Sequence, residues 1–302
     1  MSEEKFFCPL CSSRKLTPKP FGYQFNGKWL AAVECKDCGI IFIHPQPSDE
    51  ELQSLYVKDY FEKDYRCGHE GSYFDESSLA RFADDELIRS IKKYKNTGKY
   101  LEIGCAGGAS LNAVRKSGFD VTGIELSESA ALFAREKFNL HVEIGDVTTV
   151  NLPAETFDVV FMGDVLEHLP NPNDSLTKIN HLMKKGGLLI IRCPIQTNTL
   201  FSRLGFFVYK LIGKKARVNL PPYHLFEYRK KSIVNLLRRN GFKIDFLKES
   251  IMSPSEISLR GTIIQNIFKK FMHYPNYLIT KIMKTFGDRI EVYAIKEMEP
   301  GK

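Results

Sequence analysis

Short apolar runs alternate with helical stretches from residue 98 onward, and this alternation constrains the fold more than any other feature of the chain. Lys99–Ile103, Phe119–Glu125, His141–Ile144, Asp158–Met162 and Leu188–Cys193 read as strands. Helical patterns lie between them, ending at Ser117 and running over Ser127–Phe138 and Asn173–Met183. Ser232–Asn240 reads as a further helix, stopped by Gly241, and Lys243–Leu247 and Glu291–Ile295 as two final strands. Strands separated by helices of this length form βαβ units. Right-handed crossovers then build a doubly wound, mostly parallel sheet of seven strands, with helices on both faces and a ligand crevice at the strand C-termini. The expected class is α/β.

Ahead of that region, residues 1–45 carry Cys8-Pro9-Leu10-Cys11 and Cys35-Lys36-Asp37-Cys38-Gly39. Met1–Lys5 has two glutamates and no apolar run. A cytoplasmic, reducing location is therefore expected, and the seven cysteines are read as metal ligands or packed thiols before disulfides. Two Cys-x-x-Cys knuckles complete one tetrahedral zinc site, and four thiolates close its shell, so the zinc is expected to be structural. Asn26-Gly27 between the knuckles is a hairpin signal. A redox dithiol pair is the competing reading. It explains less, because so short a unit needs a staple to fold. Cys67, Cys105 and Cys193 read as packed thiols.

Pro45-Gln46-Pro47-Ser48 breaks regular structure, and Ser48-Asp49-Glu50-Glu51 opens a helix with acids in its first turn. Residues 46–97 then read as a helical connector rich in Tyr and Phe (Tyr56, Tyr60, Phe61, Tyr65, Tyr73, Phe74, Phe82). The division expected is a zinc ribbon at 1–45, this connector, and a large domain at 98–302.

The first strand of that domain ends in Glu102-Ile103-Gly104-Cys105-Ala106-Gly107-Gly108. A small-residue turn opening a helix lets backbone N–H groups approach a ligand. Glu125 ends the second strand 21 residues after Gly104, at the spacing of a carboxylate that holds ribose hydroxyls. Turn and acid together still allow NAD or S-adenosylmethionine. Three further features narrow the choice. Gly145-Asp146-Val147 follows the third strand, Val165-Leu166-Glu167-His168 the fourth, and Lys184-Lys185-Gly186-Gly187 precedes the fifth.

With these motifs in order, residues 98–250 resemble the class I S-adenosylmethionine-dependent methyltransferases, whose core is Rossmann-like. The family's middle loop glycine is here Ala106, a departure expected only to tighten the loop. The resemblance implies that Glu102, Gly104, Ala106 and Gly108 line the cofactor's amino-acid part. It assigns Glu125 and Leu126 to the ribose end and Asp146 with Val147 to the adenine. Met162, Gly163 and Asp164 would pass under the methionine part.

Methyl transfer to a hydroxyl also requires a proton to leave, which favours a histidine base. His168 and His224, the latter in Pro221-Pro222-Tyr223-His224, are the candidates. Loop anchoring is the alternative role for each. Glu167 could bind a divalent cation, as in the ubiquinone-pathway O-methyltransferases that the chain resembles here, although no second ligand is identifiable from sequence.

The net charge of +7 is unevenly spread. Residues 196–221 carry +5 without an acid, and residues 251–287 carry +4 with Glu256 as their only one. Both are apolar inserts into the expected core. Basic amphipathic helices suit an anionic membrane surface or a lipid-linked acceptor. A buried lid or a homodimer contact is the alternative. No apolar run reaches the ~18 residues of a membrane span. The acceptor is expected to be a small molecule, a saccharide (suggesting polysaccharide biosynthesis) or a lipid-linked molecule, and no DNA partner is expected. The rivals are an RNA base methyltransferase and a cofactor-binding module without catalysis. Gly163-Asp164-Val165-Leu166 lacks the Pro-Pro-aromatic run of amino-group methylators, and the motif acids are present.

Overall fold

The computed structural model describes residues 6–55, 74–82, 85–218, 221–254 and 263–297, without the side chains of 53, 81 and 263–269. Tyr56, Tyr60, Phe61, Tyr65, Tyr73, Cys67 and His69 lie outside them, as do Glu256 and Arg260.

Seven strands form the main sheet: β4 (Lys99–Ile103), β5 (Asp120–Glu125), β6 (Val142–Ile144), β7 (Phe157–Gly163), β8 (Met183–Pro194), β11 (Phe242–Ser250) and β12 (Arg289–Lys296). Their order is β11-β12-β8-β7-β4-β5-β6, parallel from β8 to β6, with β12 antiparallel to both its neighbours. Successive residues enter two different apolar clusters: Leu188 and Ile190 one, Leu189 and Ile191 the other. Both faces are covered, which is why these strands read as continuous apolar runs. Helices α3 (Asp85–Lys92), α4 (Ala109–Lys116) and α5 (Glu128–Phe138) supply one cluster. Helices α6 (Pro172–Leu182) and α8 (Lys230–Arg239) supply the other. The doubly wound α/β expectation matches this architecture. Of the connector, α1 (Asp49–Leu55) and α2 (Glu76–Phe82) are helical together with α3. Ser48 and Glu51 close a reciprocal capping box at the start of α1 (3.2 and 3.0 Å).

The cysteine-bearing unit is less separate than the sequence suggests. Its strands β1 (Leu16–Phe25), β2 (Lys28–Cys35) and β3 (Ile41–His44) form a sheet completed by two distant strands. One is β9 (Ala216–Val218), parallel to β1; the other is β10 (Phe226–Glu227), antiparallel to β3. Cys8, Leu10, Cys35 and Cys38 pack in one cluster with Leu176, Ile233 and Leu236. Arg239 donates to the Leu10 carbonyl at 3.2 Å. The sheet and the core of this unit thus extend past residue 45. The physical reason is size: so few residues bury too little apolar surface and borrow the rest.

Glu227 sits at this junction, buried, accepting from the Thr197 N–H and hydroxyl at 3.4 and 3.3 Å. Burial pushes its carboxyl up to about 7 from an ordinary 4.5. The native state therefore keeps a proton that the unfolded chain loses, so stability falls as pH rises from about 4.5 to 7. Glu227→Gln keeps the acceptor and removes the charge. It should flatten that fall and stabilise the protein by on the order of 2 kcal/mol at pH 8. Denaturant titrations at pH 5 and 8 check it; an unchanged difference between the two pH values refutes it.

Candidate functional site

At the C-terminal end of β4 the chain turns through Gly104 (φ 71°), Ala106 (φ 45°) and Gly108 (φ 78°) into α4. A Cβ on Gly104 would lie 2.5 Å from Val165 Cγ2, and one on Gly108 would lie 2.8 Å from Ala134 Cβ. Both positions are closed to larger side chains by conformation and by space. Ala106 adopts the left-handed region despite its Cβ, at a cost of roughly 1–2 kcal/mol. The loop therefore keeps the path glycine would give it.

Glu125 explains how that path is held. It is buried, its Oε2 accepts the Ala106 N–H at 2.8 Å, and its Oε1 accepts the Ser127 N–H at 2.9 Å. Burial raises its carboxyl, and the backbone donors offset only part of that rise. Each oxygen retains a lone pair for a further donor such as a hydroxyl. Leu126 beside it is exposed. Glu102 is buried under the loop, with the Tyr100 hydroxyl donating at 3.4 Å. Asp146 accepts the Thr148 N–H (2.8 Å) and hydroxyl (2.5 Å) on Oδ1, so it shapes its own turn. Val147 is in the core.

At the end of β7 the side chains diverge. Met162 points into the core, while Gly163 and Asp164 reach the sheet edge. Asp164 (φ 54°) accepts from Arg289 Nη1 at 2.9 and 3.2 Å. Arg289 carries no motif and escapes sequence reasoning, because only the antiparallel return of β12 brings it there.

The 3-10 turn Leu166–His168 follows. Leu225 N–H donates to the Glu167 carbonyl at 2.9 Å, and His168 Nδ1 lies 2.6 Å from the Tyr223 carbonyl. These contacts strap the Pro-Pro-Tyr-His segment across the turn. His168 Nε2 and His224 Nε2 stand 3.6 and 4.0 Å from Glu167 Oε1, with the two rings 5.0 Å apart. Glu167 is fully buried, and neither of its carboxylate oxygens has a hydrogen-bond partner among the described residues. Burial pushes its carboxyl well up, and nearby Asp164 adds to the rise. An unpaired buried carboxylate is costly, so this cluster can lower that cost by taking up a proton or a cation. The second candidate ligand that local sequence could not identify is His224, 57 positions away from Glu167 in the chain.

Cys8, Cys11, Cys35 and Cys38 also converge, with all four sulfurs within 4.8 Å. Cys8–Cys38 and Cys11–Cys35 are 3.6 and 3.5 Å apart, too far for disulfides. The edge of a tetrahedron with zinc–sulfur arms of 2.3 Å is about 3.8 Å, so the donor set and spacing fit zinc. Cys105 and Cys193 are buried thiols.

A family model described as a methyltransferase domain matches residues 73–246. Over 137 residues the chain is 28% identical to a ubiquinone biosynthesis O-methyltransferase of Coxiella burnetii, covering 43% of this chain and 56% of that protein. The same enzyme of Azoarcus sp. is 30% identical over 139 residues, 44% of this chain and 57% of its own. The chain thus spans little over half the length of the curated relatives it matches. A solved S-adenosylmethionine-dependent methyltransferase from Archaeoglobus fulgidus superposes with a TM-score of 0.50 at 20% identity, covering 73% of this chain and 94% of that one. That likeness is one of fold.

Proposed function

This chain belongs to the methyltransferase domain family, and on that premise we propose that it transfers a methyl group from S-adenosylmethionine to a hydroxyl of a small-molecule, saccharide or lipid-linked acceptor. The observation that carries the hydroxyl assignment is Glu167, buried, with neither oxygen hydrogen-bonded among the described residues, and facing His168 and His224. A hydroxyl needs its proton removed as it attacks the sulfonium methyl, and a base aids that step. The Tyr223 carbonyl can only accept, so His168 Nδ1 holds the ring proton and Nε2 is the basic nitrogen of the ring, the one that would take the acceptor's proton. Glu167 then stabilises the imidazolium. The same three residues suit a divalent cation, one carboxylate with two imidazoles, which would polarise the acceptor oxygen when bound. Positioning supplies much of the remaining acceleration, since in-line displacement needs little other chemistry.

The cofactor half is tested by calorimetry on the full chain. S-adenosylhomocysteine should bind one to one with micromolar affinity. Glu125→Ala should weaken it by about 1–3 kcal/mol, because the ribose loses its acceptor and Ala106 its anchor. Absence of binding by the wild type, or tighter binding of NAD, would overturn the reading.

A further inference from the structure

Two helices on this protein present their polarity the wrong way round for contact with water. They are α7 (Leu200–Leu211) and α9 (Ile263–Met283). A surface helix ordinarily buries its apolar stripe. On α9 the buried residues among the described side chains are polar: Asn276 and Thr280 are each 2% exposed. Asn276 accepts the Leu200 N–H at 2.9 Å and donates to the Phe286 carbonyl at 3.1 Å, where the Thr280 hydroxyl also donates. The outward stripe is Phe271, Tyr274, Leu278 and Ile282, the last 79% exposed. On α7, Leu204, Phe207, Val208 and Leu211 recur at i, i+3, i+4 and i+7 and are all exposed. Its other side is held by Phe206, stacked on Phe21 at 4.8 Å. Eleven of the sixteen large hydrophobic side chains exposed among the described residues belong to these helices or their last turns. Their concentration there marks an interaction surface rather than scattered exposure.

Charge selects the occupant. Lys210, Lys214, Lys215 and Arg217 are exposed at the end of α7, and Lys270, Lys281 and Lys284 on or beside α9. Residues 196–221 contain no acid. A second copy of the chain would oppose one basic face to another, whereas an anionic lipid surface complements both the apolar stripes and the lysines. No helix among the described residues is long and apolar enough to cross a membrane, so the contact lies on the surface.

We propose that α7 and α9 form a docking face by which this protein lies on an anionic lipid bilayer, apolar stripes in the headgroup boundary and lysines on the headgroups. The face adjoins the crevice. After α9 the chain enters β12, where the Ile195 N–H donates to the Asp288 carbonyl at 2.7 Å and Arg289 binds Asp164. If the methyl-transfer reading holds, the acceptor is collected from the bilayer; the docking itself does not depend on it.

The test is flotation of the full chain with vesicles of phosphatidylcholine alone or with added phosphatidylglycerol, at low salt. The protein should float with the anionic vesicles only, and release as salt screens the lysines. K210E/K214E/K215E should lower the bound fraction tenfold or more. Phe207→Ser/Leu211→Ser/Ile282→Ser should do the same through the apolar contact. Both variants should keep their affinity for S-adenosylhomocysteine, which shows that they are folded. The proposal falls if the wild type ignores anionic vesicles at low salt, or if the serine variant floats like the wild type. It also falls if the wild type is a dimer that ignores vesicles and that the serine variant dissociates.

Discussion

The Cys35→Ser/Cys38→Ser protein should lose its zinc and lose order well beyond residue 45. Wild-type protein purified without added zinc should carry close to one equivalent. A closed thiolate site contributes on the order of 10 kcal/mol to folding, more than so small a unit can replace. From sequence alone the damage would stop at the ribbon. The structure extends it, because β9 and β10 complete the same sheet and the cysteines share one apolar cluster with residues of α6 and α8. Hydrogen exchange in the variant should therefore accelerate at 16–44, at 216–218 and at 223–228, while β4, β5 and β7 stay protected. Since 223–228 carries His224, the zinc would hold one side of the candidate catalytic cluster in place. Full zinc content in the variant would refute the ligand set. Accelerated exchange confined to residues 1–45 would refute the shared sheet.

Glu167→Gln is expected to abolish divalent cation binding and to stabilise the protein. With the zinc site filled, Mn²⁺ should bind the wild type once, and the variant at least 100-fold more weakly, since one of three ligands is gone. In chelator-treated buffer the variant should gain about 1–3 kcal/mol, because the amide removes a buried ionisable group whose oxygens have no hydrogen-bond partner among the described residues. A site that trades stability for chemistry behaves in this way. His224→Ala should weaken Mn²⁺ binding without that gain. Equal Mn²⁺ affinity in Glu167→Gln, or a drop in its stability, would remove Glu167 from the site.

Local patterns in the chain carried much of this. Gly104 and Gly108 are visible because only glycine tolerates both their φ values and the approach of Val165 and Ala134. Glu125 is visible because a strand of fixed rise and a helix of fixed length put the next strand's last residue beside that loop. The doubly wound class follows from strands apolar on both faces, and the cysteine knuckles from their spacing. In each case the partners lie within one βαβ unit or one turn, so spacing along the chain predicts distance in space.

Other features were settled only by packing between distant segments. His224 reaches Glu167 because the Leu225 N–H donates to the Glu167 carbonyl and the His168 ring meets the Tyr223 carbonyl, contacts that no periodicity announces. Arg289 reaches Asp164 because β12 returns antiparallel. Two strands from far along the chain complete the ribbon's sheet in the same way. The apolar residues of α7 and α9 were legible as helical stripes, but a stripe reads alike whether it faces a core or the outside. The α/β class, the loop and the candidate thiolate set are legible in the order of residues, because they rest on local geometry and on residue chemistry. The tertiary structure decided which way the stripes face and which distant side chains share one buried space, because those depend on long-range burial rather than local spacing.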